Sequence, residues 1–132
     1  MVNQSAHILM ITNEANEQYL DLMTYLNEYG YEIIVEKEWG SSIQRVQDQI
    51  FNVIILDTKV KGIDIPKAIH IFRNFDPKVK IIVKTDSSTK QFESEIRQEK
   101  IYYYHIDSFD SNDLKLAVRS AIERPCNERK VF

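Results

Sequence analysis

Phe51-Asn52-Val53-Ile54-Ile55-Leu56-Asp57 is an apolar run rich in β-branched residues that ends on a carboxylate. Its length and composition predict a strand buried on both faces. Such a strand belongs in a parallel sheet with helices on either side. In open α/β sheets, ligands sit outside the carboxyl ends of the strands, and Asp57 stands at such an end. Asp57 is therefore the functional landmark, set against the plainer reading that it only hydrogen-bonds the following turn.

The flanking sequence repeats the same unit. His7-Ile8-Leu9-Met10-Ile11-Thr12 predicts a first strand, closed by the polar cluster Thr12-Asn13-Glu14. From Asn16 the period turns helical through Tyr19, Leu20, Leu22, Met23 and Leu26, and Gly30 stops it. Tyr31 to Val35 predicts the second strand. Ser41 or Ser42 is placed to cap a short helix through Ile43, Val46 and Ile50. After Asp57 come the turn Thr58 to Gly62 and a helix carrying Ala68, Ile69 and Phe72, with Pro66 in its first turn. Val79 to Lys84 predicts the fourth strand, followed by a weakly apolar helix with Phe92 and Ile96. Ile101 to Tyr104 predicts the fifth strand, and Asp110 or Ser111 caps a last helix that Pro125 ends.

Strict alternation of strand and helix argues for α/β with a parallel sheet and right-handed crossovers. Five units predict a flavodoxin-like, doubly wound sheet of order 2-1-3-4-5, with its switch point between strands 1 and 3. Residues 1–124 are read as one domain and 125–132 as a tail. The crevice then gathers Thr12, Asn13, Glu14 and Asp57, with Thr85 and His105 to Asp107 nearby.

Composition narrows the function. The 132 residues carry 17 basic and 20 acidic side chains, a net charge of -3, which is not the basic surface that nucleic acid requires. Cys126 is the single cysteine, so no internal disulfide forms, in keeping with a cytoplasmic setting. No signal-peptide pattern opens the chain, and no apolar stretch approaches membrane-span length. A Gly-rich or Ser/Thr-rich phosphate loop after the first strand is missing, and the chain has three glycines. That argues against the third of three readings below, a small-molecule or cofactor binder.

Over about residues 7 to 123 the chain resembles the receiver domain of bacterial two-component response regulators. Val53-Ile54-Ile55-Leu56-Asp57, followed by Gly62 and Asp64, resembles the strand and loop that present the family's phosphoacceptor aspartate. The resemblance implies that Thr85 stands where a hydroxyl binds the phosphoryl group. It places Tyr104 where an aromatic residue swings inward on activation, and Ser108-Phe109 where Pro-Phe is usual. It also implies Mg²⁺ beside Asp57, held with Asn13, Glu14 and the Lys59 backbone. The partners implied are a histidine kinase or phosphotransfer protein, and a downstream protein met by the face of helix 4, strand 5 and helix 5, including Phe92, Ile96, Tyr102 and Tyr104. The chain would be a kinase substrate rather than an enzyme, with no output module of its own.

Two departures stand out. Thr12 and Asn13 occupy the positions of the family's acidic pair, and Asp107 occupies that of its strand-5 lysine. Mg²⁺ favours oxygen ligands that include one or two carboxylates, so the metal site is weakened. Two unit charges about 4 Å apart interact by roughly 4 kcal/mol at an effective dielectric of about 20. A phosphorylated Asp57 facing Asp107 is therefore disfavoured unless Lys59, Lys61 or Lys84 intervenes, and Lys59 is best placed by sequence. Three readings follow: a phosphoryl-accepting receiver, a phosphorylation-independent pseudo-receiver that acts as a protein-interaction module, and the small-molecule binder. His105 is read as a surface or half-buried residue, and Lys80 and Lys84 as part of a solvated edge.

Overall fold

The computed structural model describes residues 6–13, 17–62, 64–108 and 110–123. Ten elements alternate: β1 His7–Ile11, α1 Glu17–Glu28, β2 Glu32–Glu36, α2 Trp39–Asp48, β3 Val53–Asp57, α3 Ile65–Phe75, β4 Lys80–Thr85, α4 Lys90–Arg97, β5 Tyr103–Ile106 and α5 Ser111–Glu123. The strands form one parallel sheet of order β2-β1-β3-β4-β5, as the alternation predicts. β3 is central, and all five of its residues are buried.

The pleat sends successive side chains to opposite faces, and two cores result. Leu9, Ile11, Ile54, Leu56, Ile81 and Val83 pack on one face against Ala68, Ile69 and Phe72 of α3 and Ile96 of α4. Ile8, Met10, Val53, Ile55 and Ile82 pack on the other against Leu22 and Leu26 of α1 and Leu114, Val118 and Ala121 of α5. The same alternation continues past the apolar residues. At the carboxyl ends of the strands it turns Thr12, Asp57, Lys84 and His105 onto the α1/α5 face.

Helix boundaries follow local chemistry. Asp64 caps α3 by accepting from the Lys67 N–H at 3.3 Å, and Pro66 lies in the first turn. Thr89 caps α4 by accepting from the Phe92 N–H at 3.0 Å. α2 departs from expectation: it starts at Trp39, and Glu38 at its N-cap makes no side-chain cap bond. Ser41 and Ser42 instead donate their hydroxyls back to the Glu38 carbonyl, a local bond that competes with capping. Ile50 lies beyond the end of α2 and is 78% exposed. β5 also begins at Tyr103, two residues later than the predicted start at Ile101, because Ile82 of β4 pairs with Tyr103. Of the two expected caps of the last helix, Asp110 takes the role: α5 starts at Ser111, and the Asp110 carboxylate accepts from the Asn112 N–H at 2.9 Å.

The turn that follows α4 closes on Lys100, whose φ of 61° lies in the left-handed region. Arg73 of α3 fixes this turn by donating to the carbonyls of Glu99 and Lys100. An L side chain pays a steric penalty in this conformation that glycine avoids. Lys100→Gly is therefore expected to stabilise the fold by about 0.5 kcal/mol, and Lys100→Val to destabilise it by about 1 kcal/mol. Urea unfolding midpoints of the two variants check both signs.

Candidate functional site

Asp57 is 1% exposed, so its carboxylate needs partners inside the protein. The Thr12 hydroxyl donates to Oδ2 at 2.8 Å, and the Lys59 backbone N–H donates to Oδ1 at 3.0 Å. Ile11 pairs with Leu56 at the end of β1, which brings Thr12 level with Asp57 one step further on. The turn after β3 is tied down by Thr58 N–H to the Lys84 carbonyl at 2.9 Å and by Val60 N–H to the Asp57 carbonyl at 3.2 Å. Gly62, at φ +84°, completes that turn.

Across the sheet the polar row continues. Asp57 pairs in register with Lys84, and Lys84 with His105. Thr12, Asp57, Lys84 and His105 are all buried. The Lys84 ammonium lies 2.9 Å from Oδ1 of Asp107. Asp107 itself is anchored by its N–H to the Thr85 carbonyl at 2.8 Å. His105 is 3% exposed, which corrects its reading as a surface or half-buried residue. Burial pushes the His105 imidazole below its usual range, with Lys84 acting in the same direction, while Asp107 and Asp113 oppose it. Lys84 is likewise no part of a solvated edge. Lys80 donates its ammonium to the Ala121 carbonyl at 2.9 Å, at the end of α5.

The other candidates fall as follows. Asn13 is exposed in the bend after β1, and Glu14 lies outside the described residues, as do Phe109 and Cys126. The Lys59 ammonium stands 3.8 Å from Asp86. The Thr85 hydroxyl accepts from Thr58 at 2.9 Å and donates to the Ser87 carbonyl at 2.6 Å, so its bonds serve the β4–α4 loop. Tyr104 is 2% exposed, with its hydroxyl 2.6 Å from that of Ser88 and its ring against Phe92 and the Arg97 guanidinium. Ile96 is fully buried, so Tyr104 and Ile96 leave the predicted contact face for the core beneath it. The Lys84–Asp107 pairing was missed by sequence reasoning. Its signal was the alternation of β4, which puts Lys84 on the same face as Ile82.

These donors fit Mg²⁺ poorly. Among the described residues, Thr12 and Asn13 supply only neutral oxygens beside Asp57, and the Thr12 hydroxyl donates its hydrogen to Asp57. Among the described residues, no group of three or more His, Cys, Asp or Glu side chains is placed to hold a metal. The small, partly open cleft beside Lys84 and His105 measures about 20 Å³, room for about one water. No helix among the described residues is long and apolar enough to cross a membrane.

Two consequences are measurable. Thr12→Val removes a hydrogen bond to a buried charge and is expected to cost about 1.5–3 kcal/mol at neutral pH, read from denaturant midpoints. His105 prefers its neutral form when folded, so on acidification the unfolded chain takes up the proton first. Stability is then full above the ordinary histidine pKa of about 6.5 and declines below it. A melting-temperature series over that range checks the slope, which should flatten in His105→Gln.

No protein-family model and no curated protein sequence matches the chain. Solved structures do. A CheY-like response regulator receiver domain from Methanospirillum hungatei superposes with a TM-score of 0.78 at 16% identity, covering 91% of this chain and 95% of that one. The signal receiver domain of an HD domain-containing protein from Pseudomonas fluorescens gives 0.77 at 21% identity, over 93% and 90%. The receiver domain of a sensor histidine kinase from Pseudomonas aeruginosa, which holds a magnesium ion in its active site cleft, gives 0.73 at 18% identity, over 92% and 100%. The chain has the CheY-like fold of response regulator receiver domains.

Proposed function

We propose that this chain is a receiver-fold signalling module, not an enzyme, that acts through protein–protein contacts and does so without a phosphoryl group on Asp57. The observation that carries this reading is the anchoring of both oxygens of the Asp57 carboxylate, one by the Thr12 hydroxyl and one by the Lys59 N–H. Phosphoryl transfer depends on positioning and on cations that neutralise the transferred group. Where the resemblance implies acidic metal ligands, Thr12 donates a hydrogen bond to Asp57. Where it implies a lysine, Asp107 is already paired with Lys84. We infer that Mg²⁺ is not a resident of this crevice.

Tyr104 supports the same reading. Its inward place is the one the resemblance associates with activation, and Ser88, Phe92 and Arg97 hold it there without phosphate. The downstream partner is met at the outer surface of α4, β5 and α5, where Leu116 is 56% exposed among polar residues. The competing reading has a histidine kinase or phosphotransfer protein phosphorylate Asp57. It draws on the position of Asp57 at the carboxyl end of β3.

An amide NMR titration with Mg²⁺ and then beryllofluoride, a stable mimic of aspartyl phosphate, separates the two. No saturable shifts at Asp57, Thr85 or Tyr104 are expected in the wild-type chain. Saturable shifts there that vanish in Asp57→Ala would establish the phosphoacceptor and overturn the present reading.

A further inference from the structure

At the amino ends of the strands, opposite the Asp57 crevice, the ends of α2, α3 and α5 border a groove of about 400 Å³. Its floor is core: Phe51 and Val79 are 3% and 5% exposed. Its walls are apolar and open to solvent. Ile50, just past α2, is 78% exposed, and Phe75, the last residue of α3, is 44% exposed. Ile122 of α5 is a half-buried third wall. A single exposed apolar side chain needs no explanation. Two that line one groove, above a floor of core residues, do. The polar residues of the rim bond within the fold. Asn52 accepts from the His7 N–H at 2.9 Å, Asp76 accepts from the Lys78 N–H at 3.0 Å, and the Lys80 ammonium donates to the Ala121 carbonyl at 2.9 Å. What the groove offers an occupant is therefore chiefly apolar contact.

We propose that the groove is the docking site of this chain's own C-terminal segment, with Val131 and Phe132 as the side chains that fill it. Continuity argues for this occupant. Ala121 and Ile122, two of the lining residues, belong to the last turn of α5, so the chain leaves the helix at the rim of the groove. The Lys80 bond to the Ala121 carbonyl pins that end, as a cation at a helix C-terminus does. Residues 124–132, outside the described residues, read Arg-Pro-Cys-Asn-Glu-Arg-Lys-Val-Phe. The segment is polar from Asn127 to Lys130 and then reaches the apolar pair Val131-Phe132. At about 3.3 Å per extended residue, the stretch from Pro125 to Phe132 spans roughly 23 Å, enough to lay Phe132 beside Ile50 and Phe75 in the groove that Ile122 already borders. A second copy or a foreign segment would lose translational and rotational freedom on docking. A tethered segment meets the groove at a high effective concentration instead. The groove lies at the end of the sheet away from Asp57, so the inference does not depend on the state of that carboxylate.

The test is NMR of the full chain with labelled isoleucine methyl groups. Nuclear Overhauser contacts from the Phe132 ring to the methyls of Ile50 and Ile122 are expected, and they should persist on dilution. The variant Val131→Ser with Phe132→Ser is expected to remove them, to shift both methyl resonances and to lower the melting temperature by about 3 °C or more. Ile50→Ser alters the groove from the other side at an exposed position, where the fold tolerates it. It should lower the melting temperature by a similar amount, with little further loss when combined with the tail variant. Groove methyls whose resonances ignore the tail variant overturn the proposal. So do additive losses from Ile50→Ser and the tail variant, which would place the segment elsewhere. Contacts found only between a labelled and an unlabelled chain in a mixed sample assign the groove to a second copy, and overturn the proposal equally.

Discussion

The carboxylate of Asp57 is buried at the end of the central strand, and the crevice is arranged around its need for partners. A parallel sheet covered by helices on both faces leaves no water to solvate that group. Its neighbours must do so, and the neighbours are dictated by register. β1 delivers the Thr12 hydroxyl, the turn after β3 returns the Lys59 N–H, and β4 sets Lys84 alongside. Asp107 then completes the row by pairing with that lysine. Each partner occupies the place it does because the strands are parallel and aligned. A slip of one residue in β4 would turn Lys84 toward the α3 face and bring Thr85 or Val83 into its place.

The fold was legible in the sequence because its signals are local and repeated. Val53 to Asp57 read as a strand buried on both faces, and all five residues are buried. Five such units in alternation leave few topologies once crossovers are right-handed. Errors gathered where local and tertiary signals compete. The serines of α2 looked like caps, yet the helix starts two residues earlier and they bond back to Glu38. The aromatic run Tyr102 to Tyr104 looked like the body of a strand, yet pairing with Ile82 sets the start of β5 at Tyr103.

The site was legible only in part. The approach of the segment after β1 to Asp57 followed from topology, and Thr12 makes that contact. The fate of Lys84 did not, although it stood among the possible cations. A lysine in a strand reads as an exposed residue on composition alone, since lysine is almost never fully buried without a partner. Its burial becomes visible only when the alternation of β4 is combined with the knowledge that Asp107 closes β5. Tyr104 shows the same limit from the other side. Nothing in Ile101 to Tyr104 distinguishes an outward ring from an inward one. The Ser88 hydroxyl that holds it comes from a loop 16 residues away in sequence.

The relation between Lys84 and Asp107 separates what a fold requires from what a reaction requires. Folding asks that buried charges at the strand ends be neutralised, and it is indifferent to which strand supplies the positive one. Phosphoryl chemistry asks for positive charge free to meet an incoming phosphate, with metal ligands disposed around it. A lysine on β4 bound to an aspartate after β5 meets the first requirement and withholds its charge from the second. Within this sheet, core and loop geometry, Lys84 and Asp107 form a fixed internal ion pair.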